Sequence, residues 1–385
     1  MIGANTEVIK KDRYEIAVIA GDGIGPEVIR EARKVAEAAA SLEKASLEWD
    51  EYPFGASHYL DTGEILPEAA IADMSCRDAM LLGAIGSPQV KPGVLERGIL
   101  LSLRFVFDQY VNLRPAKSLP NVPTPVSACV KAIDSLVVRE NTEDLYMGLG
   151  GIYESGEANL PISLERGGYS LRGSMELSIS PGMPFAAQVA LNTRHGVTRV
   201  TRYACEAARN RGEDRVTIVT KSNAAPALYG YFEDTAKGVI EAEYPSMKFD
   251  VVNVDALCYH LSRNPAAYGV LLCPNLFGDI VSDLQAGLAG GLGTAAGGNI
   301  GDGLSMFEPV HGSAPDIAGT GKANPIAAIL SAAMMLRHIG LNLAADSVSR
   351  AVNDYLSRSS GAGLPYEFGG ELPCSKVGDE VLKKL

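Results

Sequence analysis

Residues 14–43 read YEIAVIAGDGIGPEVIREARKVAEAAASLE. The first eight, YEIAVIAG, form a compact apolar and β-branched run that stops in glycines, which is typical of a buried strand. Apolar residues then recur with helical spacing, and Pro26 occupies the first helical turn, where proline is favoured. We therefore predict a strand, a tight turn and a helix in direct succession, the first unit of an α/β protein.

The turn itself, GDGIGPEV (21–28), opens a helix, which is a position where phosphates and dinucleotides bind. Its glycine pattern differs from the G-x-G-x-x-G fingerprint of dinucleotide-binding turns. Two interpretations therefore stand: the loop approaches a bound nucleotide, or it is only a tight connection between strand and helix.

The same alternation continues along the chain. Further elements are predicted as strands at AMLLGAIG (79–86), RVTIVT (215–220), FDVVNVD (249–255) and YGVLLCP (268–274), and as a helix at NPIAAILSAAMMLRHIG (324–340). This order predicts helices packed on a largely parallel sheet. Residues 149–195 differ, because Gly, Ser and Pro interrupt short alternating runs there. We expect a β-rich arm or hairpin in that region, with a surface loop as the alternative.

Composition excludes several classes of function. The 385 residues are 46% hydrophobic and carry a formal net charge of −12, which disfavours nucleic acid and anionic membranes as partners. The chain has no apolar run of about 18 residues, the length of a membrane span, and its N-terminus lacks the features of a signal peptide. The six cysteines form no CxxC pair, which favours reduced thiols. We expect a soluble cytoplasmic enzyme.

Two carboxylates are placed where they should repel each other. In NLFGDIVSD (275–283), Asp279 and Asp283 are four residues apart, and on a helix this spacing puts both on one face. Asp255 directly follows a predicted strand. Together the three would make an all-oxygen site that suits Mg²⁺ or Mn²⁺ and not zinc. A divalent cation would cancel the repulsion.

Basic side chains are placed with equal regularity. Arg104, Arg114 and Arg139 lie near predicted strand ends, and Lys221 directly follows another strand. A guanidinium pairs with a carboxylate through two parallel hydrogen bonds, so three arginines favour a carboxylate-bearing substrate. Each arginine alone would more simply form a surface ion pair.

A second glycine-rich segment, FEPVHGSAPDIAGTGKANP (307–325), is too broken for regular structure. Its backbone N–H groups suit a pyrophosphate or a ribose, and His311 could face an adenine. Asp316 suits the vicinal hydroxyls of an adenosine ribose and would repel a 2′-phosphate. An ordinary loop with a turn-forming aspartate is the alternative.

Together these motifs resemble those of the β-decarboxylating 2-hydroxyacid dehydrogenases, which include isopropylmalate, isocitrate, homoisocitrate and tartrate/D-malate dehydrogenases. The resemblance runs from about Glu15 to beyond His338 and is weakest in the 149–195 region. It rests on motifs in the family's order and at its intervals: GDGIGPEV, SLR…NLRP, VVREN…Y, TKSN, VDA, PNLFGDIVSD and EPVHGSAPDIAG…ANP.

The resemblance implies an isocitrate/isopropylmalate dehydrogenase-like fold, with two α/β domains that share a large mixed sheet and a β-rich arm at the dimer interface. Residues 1–109 plus 290–385 would form a discontinuous NAD-binding large domain. Residues 110–289 would form a small domain that carries the interface, the arm and the metal aspartates.

The resemblance also assigns three sets of binding residues. The malate carboxylates would be clamped by Arg104, Arg114 and Arg139. Mg²⁺ or Mn²⁺ would be held by Asp255, Asp279 and Asp283. NAD would be bound by Glu308 near the nicotinamide ribose and, around the adenosine, by His311, Gly312, Ser313, Ala314, Asp316 and Asn324. NAD is implied over NADP, because the NAD-using members carry an aspartate at the position of Asp316.

Two residues would move protons in this family's reaction. Lys221 would relay the proton of the 2-hydroxyl as hydride leaves for the nicotinamide. Tyr146 would protonate the enol carbon after the β-carboxylate departs as CO₂. Since the family's lysine and first metal aspartate reach into the neighbouring subunit's site, Lys221 and Asp255 imply an obligate homodimer with shared active sites, within a dimer or a higher oligomer.

Substrate identity depends on ERGILLSLR (96–104), which the resemblance places on the helix that faces the substrate's γ-group. Leu100 and Leu101 match the leucines that line the alkyl pocket of isopropylmalate dehydrogenases. Arg97 stands where those enzymes usually have glutamate, so it is either a solvated helix residue or it attracts a polar or acidic γ-substituent. We predict a 3-isopropylmalate dehydrogenase-like enzyme. The alternatives are a tartrate/D-malate dehydrogenase and a biosynthetic enzyme for a malate analogue with a polar or acidic γ-group.

A non-catalytic nucleotide-binding subunit is the alternative from a different class. Such relatives usually lose the tyrosine, the lysine or a metal aspartate. This chain keeps all five, Tyr146, Lys221, Asp255, Asp279 and Asp283, which favours an enzyme.

Overall fold

The computed structural model describes residues 10–126, 132–166 and 168–385. Within them the strands are β1 (Arg13–Gly21), β2 (Ser46–Glu51), β3 (Ala79–Ala84), β4 (Val111–Lys117), β5 (Asp134–Glu140), β6 (Leu149–Tyr153), β7 (Glu157–Arg166), β8 (Tyr169–Ser178), β9 (Phe185–Val189), β10 (Arg215–Thr220), β11 (Lys248–Asn253), β12 (Val270–Cys273), β13 (Ala296–Ile300) and β14 (Met306–Pro309).

The α-helices are α1 (Gly25–Ser41), α2 (Ala56–Thr62), α3 (Glu68–Met74), α4 (Ser102–Val106), α5 (Arg194–Asn210), α6 (Tyr231–Glu243), α7 (Val254–Arg263), α8 (Asn275–Ala289), α9 (Ile326–His338), α10 (Asn342–Arg358) and α11 (Cys374–Leu382). Two π-helical turns cover Glu96–Leu101 and Pro226–Gly230, and short 3₁₀ turns cover Asp144–Met147, Pro265–Ala267, Leu292–Thr294, Gly361–Gly363 and Tyr366–Phe368. No helix in the described ranges is long and apolar enough to cross a membrane.

Ten strands form one mixed sheet in the order β11-β10-β12-β5-β4-β13-β14-β3-β1-β2. The pairings are parallel except in the middle, where β5–β4, β4–β13 and β13–β14 are antiparallel. The sheet is therefore largely parallel, as predicted. The strand and helix predictions made for 14–43, 79–86, 215–220, 249–255, 268–274 and 324–340 are confirmed by β1, α1, β3, β10, β11, β12 and α9.

The strands are continuously apolar because helices cover both faces of the sheet. Along β1, Ile16 and Val18 pack into the core that also contains α1, α9 and α10. The alternate residues Ala17 and Ile19 pack on the opposite face with the helical segment around Leu103. A strand buried on both faces shows no polar alternation, which is why YEIAVIAG is an unbroken apolar run.

Residues 149–195 contain the predicted β-rich arm and not a surface loop. Strands β7 and β8 pair antiparallel over ten residues each, from Glu157 opposite Ser178 to Arg166 opposite Tyr169. Strands β6 and β9 form a second antiparallel pair at the base of this hairpin. Alternate residues of β7 are buried, so one face of the hairpin packs within the same chain.

The turn after β1 is a tight junction with the second glycine-rich segment. Buried Asp22 accepts hydrogen bonds from the backbone N–H of Ala56 at 2.7 Å and of Gly86 at 2.8 Å. The backbone N–H of Ile24 donates to the carbonyl oxygen of Ser313 at 2.9 Å. Both carboxylate oxygens of Asp22 therefore accept hydrogen bonds from the backbone. The bond between Ile24 and Ser313 shows that the two segments proposed for nucleotide binding are in contact.

Gly23→Ala should destabilise the protein by more than its backbone conformation alone requires. Gly23 has a φ of 57°, and a Cβ there would lie 2.0 Å from the carbonyl oxygen of Ser313. The left-handed conformation costs an L-residue about 1–2 kcal/mol, and the clash must also displace Ser313. Chemical denaturation would measure the loss in free energy of unfolding.

Gly212→Ala is the matched control, because Gly212 has a φ of 73° and no atom within 4 Å of the added Cβ. It should lose only the conformational part. Equal losses in the two variants would show that the contact between the turn and Ser313 contributes nothing to stability.

Candidate functional site

Asp279 and Asp283 lie one turn apart on α8, as their spacing predicts, and arginines from two central strands meet them. Arg139 of β5 places Nη1 2.5 Å from Oδ1 of Asp279. Arg114 of β4 places Nη1 3.3 Å from the same oxygen and 3.2 Å from Oδ1 of Asp283. The structure thus brings together the two carboxylates and two of the three predicted arginines. The two aspartates share a helix face because they are four residues apart. The two arginines lie close together because β4 and β5 are neighbouring antiparallel strands.

Tyr146 completes this group. Its hydroxyl donates to Oδ2 of Asp279 at 2.6 Å, and its ring lies 4.9 Å from the guanidinium carbon of Arg139. Burial, followed by the hydrogen bond to Asp279, raises the pKa of Tyr146. The phenol therefore keeps its proton at neutral pH and is available as a proton donor.

The charges in this group shift one another's pKa values. Burial lowers the pKa of Arg139 to about 10, and the nearby Arg114 charge adds to the effect. Burial pushes the pKa of Asp279 upward, but Arg139 and Arg114 together outweigh it, so the Asp279 pKa is lowered. The pKa of Asp283 is raised, first by burial and further by the Asp279 charge, against the opposing effect of Arg114. Asp279 is thus held as a carboxylate.

Arg104 does not lie near a strand end, as we predicted from sequence, but on helix α4. The apolar run around it belongs to a helical segment, because Leu95, Ile99, Leu103 and Phe107 are buried at intervals of four residues. The Arg104 guanidinium nevertheless reaches the site region, where its Nη2 donates to Oε1 of Glu308 on β14 at 2.9 Å.

Two guanidinium nitrogens in this group are buried without a hydrogen-bond acceptor in the described chain: Nε of Arg104 and Nη2 of Arg139. A buried donor that lacks a partner costs about 1–3 kcal/mol. A bound carboxylate would supply the missing acceptors with the planar geometry that guanidinium prefers. Nη2 of Arg166 and Nε of Arg199 are buried in the same way outside this group, so the unpaired nitrogens alone do not define the site.

Lys221 and Asp255 form a separate pair. Nζ of Lys221, just after β10, lies 2.7 Å from Oδ1 of Asp255 in the first turn of α7. This hydrogen bond lowers the pKa of Asp255. In the chain as described, no three Asp, Glu, His or Cys side chains are placed to hold a metal ion. The predicted metal trio is therefore not assembled within one chain.

Asp279 and Asp283 still offer a donor set that fits a hard cation. Both side chains lie on one helix face, and both offer carboxylate oxygens, the ligands that Mg²⁺ and Mn²⁺ prefer. Their mutual repulsion and the raised pKa of Asp283 would be relieved by a divalent charge. Asp283 is 54% exposed at its side chain, so ligands from water, substrate or a second chain have access.

The predicted nucleotide residues lie on one side of this group and differ in exposure. Glu308 accepts from Asn299 at 2.8 Å as well as from Arg104, and Asn324 donates to Oε2 of Glu367 at 2.8 Å. Burial lowers the pKa of His311, whose Nε2 has no hydrogen-bond partner among the described residues. The segment also contains half-buried Ser313 and Ala314 and exposed Gly312 and Asp316. Ala314 has a φ of 40°, an uncommon value for a residue with a Cβ.

The segment before Arg104 has two different faces. Leu100 is half-buried and packs against the core cluster that contains Ile99, and Leu101 is also half-buried. Arg97 is exposed and, with Lys91, lines a shallow, open cavity formed by residues 91–98 alone. Among the described residues, no acidic side chain lines this cavity.

Sequence reasoning missed the residues that support the arginines. Asn275 accepts from Nε of Arg139 through both its backbone and side-chain oxygens, at 2.9 and 3.0 Å. Asn112 accepts from Nε of Arg114 at 2.7 Å, and the Ser282 hydroxyl accepts from its Nη1 at 2.9 Å. These residues lie inside the quoted motifs, but short polar side chains often bond only to nearby backbone, so only the fold identifies their role.

Comparison with known proteins agrees with this geometry. The chain matches the family model described as isocitrate/isopropylmalate dehydrogenase over residues 15–381. It is 43% identical to a 3-isopropylmalate dehydrogenase of Clavibacter sepedonicus over 378 residues, which cover 96% of this chain and 97% of the relative. It is 42% identical to a 3-isopropylmalate dehydrogenase of Thermobifida fusca over 375 residues, with coverage of 96% and 97%.

Solved structures show the same likeness. An isocitrate dehydrogenase from Methylococcus capsulatus superposes with a TM-score of 0.81 at 33% identity, covering 96% of this chain and 99% of that one. The TT0538 protein from Thermus thermophilus superposes with a TM-score of 0.82 at 32% identity, covering 98% and 69%. Sequence and fold therefore point to the same group of proteins.

Mn²⁺ should stabilise the folded protein, and Asp283→Asn should lose most of that stabilisation. A ligand present at 100 times its Kd adds about 2.7 kcal/mol to the free energy of unfolding. Asparagine keeps the shape of Asp283 but removes its charge. Thermal unfolding with and without Mn²⁺ would measure the difference.

Asp250→Asn is the control. Asp250 lies on the edge strand β11 and forms an exposed ion pair with Arg215 of β10, so the substitution removes an equivalent charge. It should keep the full response to Mn²⁺. A full response in Asp283→Asn as well would remove Asp283 from the metal site.

Proposed function

The chain belongs to the isocitrate/isopropylmalate dehydrogenase family, and on that premise we propose that it oxidises and decarboxylates a malate. The substrate is a 3-substituted or unsubstituted malate, the oxidant is NAD, and the products are a 2-oxoacid, CO₂ and NADH. The observation that carries this proposal is the cluster in which Arg114, Arg139 and the Tyr146 hydroxyl meet the carboxylates of Asp279 and Asp283. It brings cationic groups, oxygen ligands and a proton donor together.

Each group in the site has a defined task. Arg104, Arg114 and Arg139 bind the malate carboxylates. Asp279 and Asp283, with Asp255 of a second copy of the chain, would hold Mg²⁺ or Mn²⁺. When bound, NAD would supply the hydride acceptor and the divalent cation would supply Lewis acidity at the substrate oxygens.

Two side chains move protons. Nζ of Lys221 accepts the proton of the substrate 2-hydroxyl while the C2 hydride is transferred. The Tyr146 hydroxyl, fixed by its hydrogen bond to Asp279, donates a proton to the enol carbon after decarboxylation. Both are general acid–base steps, in which the position of the side chain matters more than its strength as an acid or base.

A homodimer follows from the placement of Lys221 and Asp255. Within one chain, as far as it is described, they pair with each other and complete no metal site. Large apolar side chains are also exposed next to the aspartates in the chain: Ile280, next to Asp279, is 53% exposed, and Tyr259, one helical turn after Asp255, is 59% exposed. A second copy that covers these side chains would bring its Lys221 and Asp255 to this site.

The cofactor assignment rests on the segment 307–325. Exposed Asp316 would accept hydrogen bonds from the hydroxyls of an adenosine ribose and repel a 2′-phosphate, so NAD is preferred over NADP. We keep the domain division into 1–109 plus 290–385, for NAD, and 110–289, for the metal aspartates and the arm. A cytoplasmic location belongs to the same proposal.

The substrate of first choice is 3-isopropylmalate, whose alkyl group suits Leu100 and Leu101. A second candidate is favoured by the cavity beside Arg97, because Lys91 adds a second unpaired cation to it. A malate with an anionic γ-group would pair with these two charges, whereas an isopropyl group would leave them unused. Unsubstituted D-malate and tartrate remain in the same reaction class.

NADH formation with Mn²⁺ across a panel of malates tests the function and separates these substrates. The panel holds 3-isopropylmalate, D-malate, tartrate, isocitrate, homoisocitrate and a malate with an anionic γ-group. Arg97→Ala should lower kcat/KM by about 10-fold for acidic γ-groups only, which corresponds to the loss of one partly exposed ion pair.

Arg209→Ala is the control, because it removes an exposed arginine from the C-terminal end of α5, and it should change no substrate's kcat/KM. An equal effect of Arg97→Ala on 3-isopropylmalate and on acidic substrates would exclude a role in specificity. Absence of turnover on the whole panel would reject the proposed function.

Lys221→Met and Tyr146→Phe should stop different steps. Without Lys221, hydride transfer should fall by about 10²–10⁴-fold. Without the Tyr146 hydroxyl, the first NADH should form rapidly, followed by a slow phase limited by enol protonation. Rapid-mixing measurements of NADH absorbance would separate the two patterns.

Lys248→Met and Tyr355→Phe are the matched controls. Lys248 pairs with Asp214 in an exposed ion pair, and the Tyr355 hydroxyl donates to the backbone oxygen of Gly363. Both should keep normal kinetics. A missing burst in both Lys221→Met and Tyr146→Phe would show that their roles are not separate.

A further inference from the structure

We propose that Asn275 is a positioning residue for Arg139 and that buried Glu140 and Glu143 extend this support to Tyr169 on the arm. The inference rests on the proposed function, because it treats Arg139 as a ligand of the substrate carboxylate. It adds that the arm hairpin, through Tyr169, the side chain and backbone of Glu143, and Asn275, fixes the direction in which this guanidinium points.

Asn275 is the link between Arg139 and the acidic pair. Its oxygens accept twice from Nε of Arg139, which leaves Nη1 for Asp279 and Nη2 free. Its Nδ2 donates to Oε2 of Glu140 at 3.4 Å and to the backbone oxygen of Glu143 at 3.2 Å. Asn275 is 1% exposed, so each of these bonds replaces one to water and fixes the amide orientation.

Glu140 and Glu143 are fully buried carboxylates with no arginine or lysine bonded to either of them in the described chain. Glu140 accepts from the backbone N–H and hydroxyl of Thr142, at 2.8 and 2.9 Å, and from the backbone N–H of Glu143 at 2.9 Å. Buried carboxylates persist when hydrogen bonds of this kind satisfy them. The pair therefore forms a rigid polar frame behind the substrate arginines.

The arm is attached to this frame. Tyr169 of β8 donates its hydroxyl to Oε1 of Glu143 at 2.9 Å. Arg166 of β7 donates through Nε to the backbone oxygen of Thr142 at 3.2 Å. On the other side, Thr193, the N-cap of α5, donates to Glu143 through its hydroxyl at 2.6 Å and its backbone N–H at 2.7 Å. Displacement of the hairpin would therefore remove a bond from Glu143.

This arrangement separates substrate binding from cofactor binding. The chain of bonds from Tyr169 ends at Arg139 and includes no residue of the segment 307–325. Loss of one of these hydrogen bonds should weaken binding of the substrate carboxylate and leave NAD binding unchanged. A change that only loosened the fold would affect both.

The test measures KM and kcat for the best malate of the panel, KM for NAD, and the Kd of D-malate by calorimetry with Mn²⁺. Asn275→Ala should raise substrate KM and the D-malate Kd by about 10-fold, the lower end of effects seen for groups that orient a ligand-binding side chain. Tyr169→Phe, which keeps the ring and should fold readily, should raise both by about 3-fold. In both variants kcat should change by less than about 2-fold and KM for NAD should not change.

Asn121→Ala and Tyr355→Phe are matched controls, because Asn121 and Tyr355 make comparable bonds to backbone carbonyls far from the site. Both should retain wild-type constants. In an Arg139→Lys background, Asn275→Ala should add almost nothing, since the guanidinium that it positions is gone.

Unchanged substrate KM and Kd in both test variants, equal changes in KM for NAD, or additive effects with Arg139→Lys would each overturn the inference. The calorimetric Kd separates it from the proposed reaction. Wild-type protein that binds D-malate without oxidising any malate would reject the reaction, while the Kd values of the variants would still decide the role of Asn275. A wild-type protein that binds no dicarboxylate would overturn both.

Discussion

A guanidinium buried in the protein interior requires a fixed anion, and the pair of Arg139 and Asp279 imposes that requirement on the site. Arg139 is 1% exposed, and Asp279 is its one charged hydrogen-bond partner among the described residues. Breaking such a pair costs about 3–5 kcal/mol, because one charge is left uncompensated. Helix α8 must therefore pack on β5 in one register. The same register places Asp279 against Tyr146, and it places Asp283 against Arg114.

The ion pairs of the site contain equal numbers of positive and negative side chains. Three arginines, Arg104, Arg114 and Arg139, face three carboxylates, Asp279, Asp283 and Glu308. A malate dianion alone would leave this group too negative, and a divalent cation alone would leave it too positive. The two together are neutral, which explains why one set of residues would bind a metal and a dicarboxylate as a unit.

The fold was largely predictable, because periodicity and breaker residues are local properties of the chain. YEIAVIAG and RVTIVT are strands, and the four-residue spacing of Asp279 and Asp283 gave their shared helix face. Arg104 was misplaced near a strand end, since a short apolar run does not separate a strand from a buried helix. The supporting roles of Asn275 and Asn112 could not be predicted, because they depend on which elements meet across the sheet.

The order of strands in the sheet also affects how the chain is made. β1, β2 and β3 form one half of the sheet, and β4, β5, β10, β11 and β12 form the other. Among the described strands, β13 and β14 alone join the two halves within the sheet, and β14 ends at Pro309. A ribosome adds about 5–20 residues per second, so during synthesis the inner edges of β3 and β4 stay unpaired for many seconds. Nascent chains of this protein consequently pass through a stage with two unpaired sheet edges. Such edges can pair incorrectly with other chains unless a chaperone covers them.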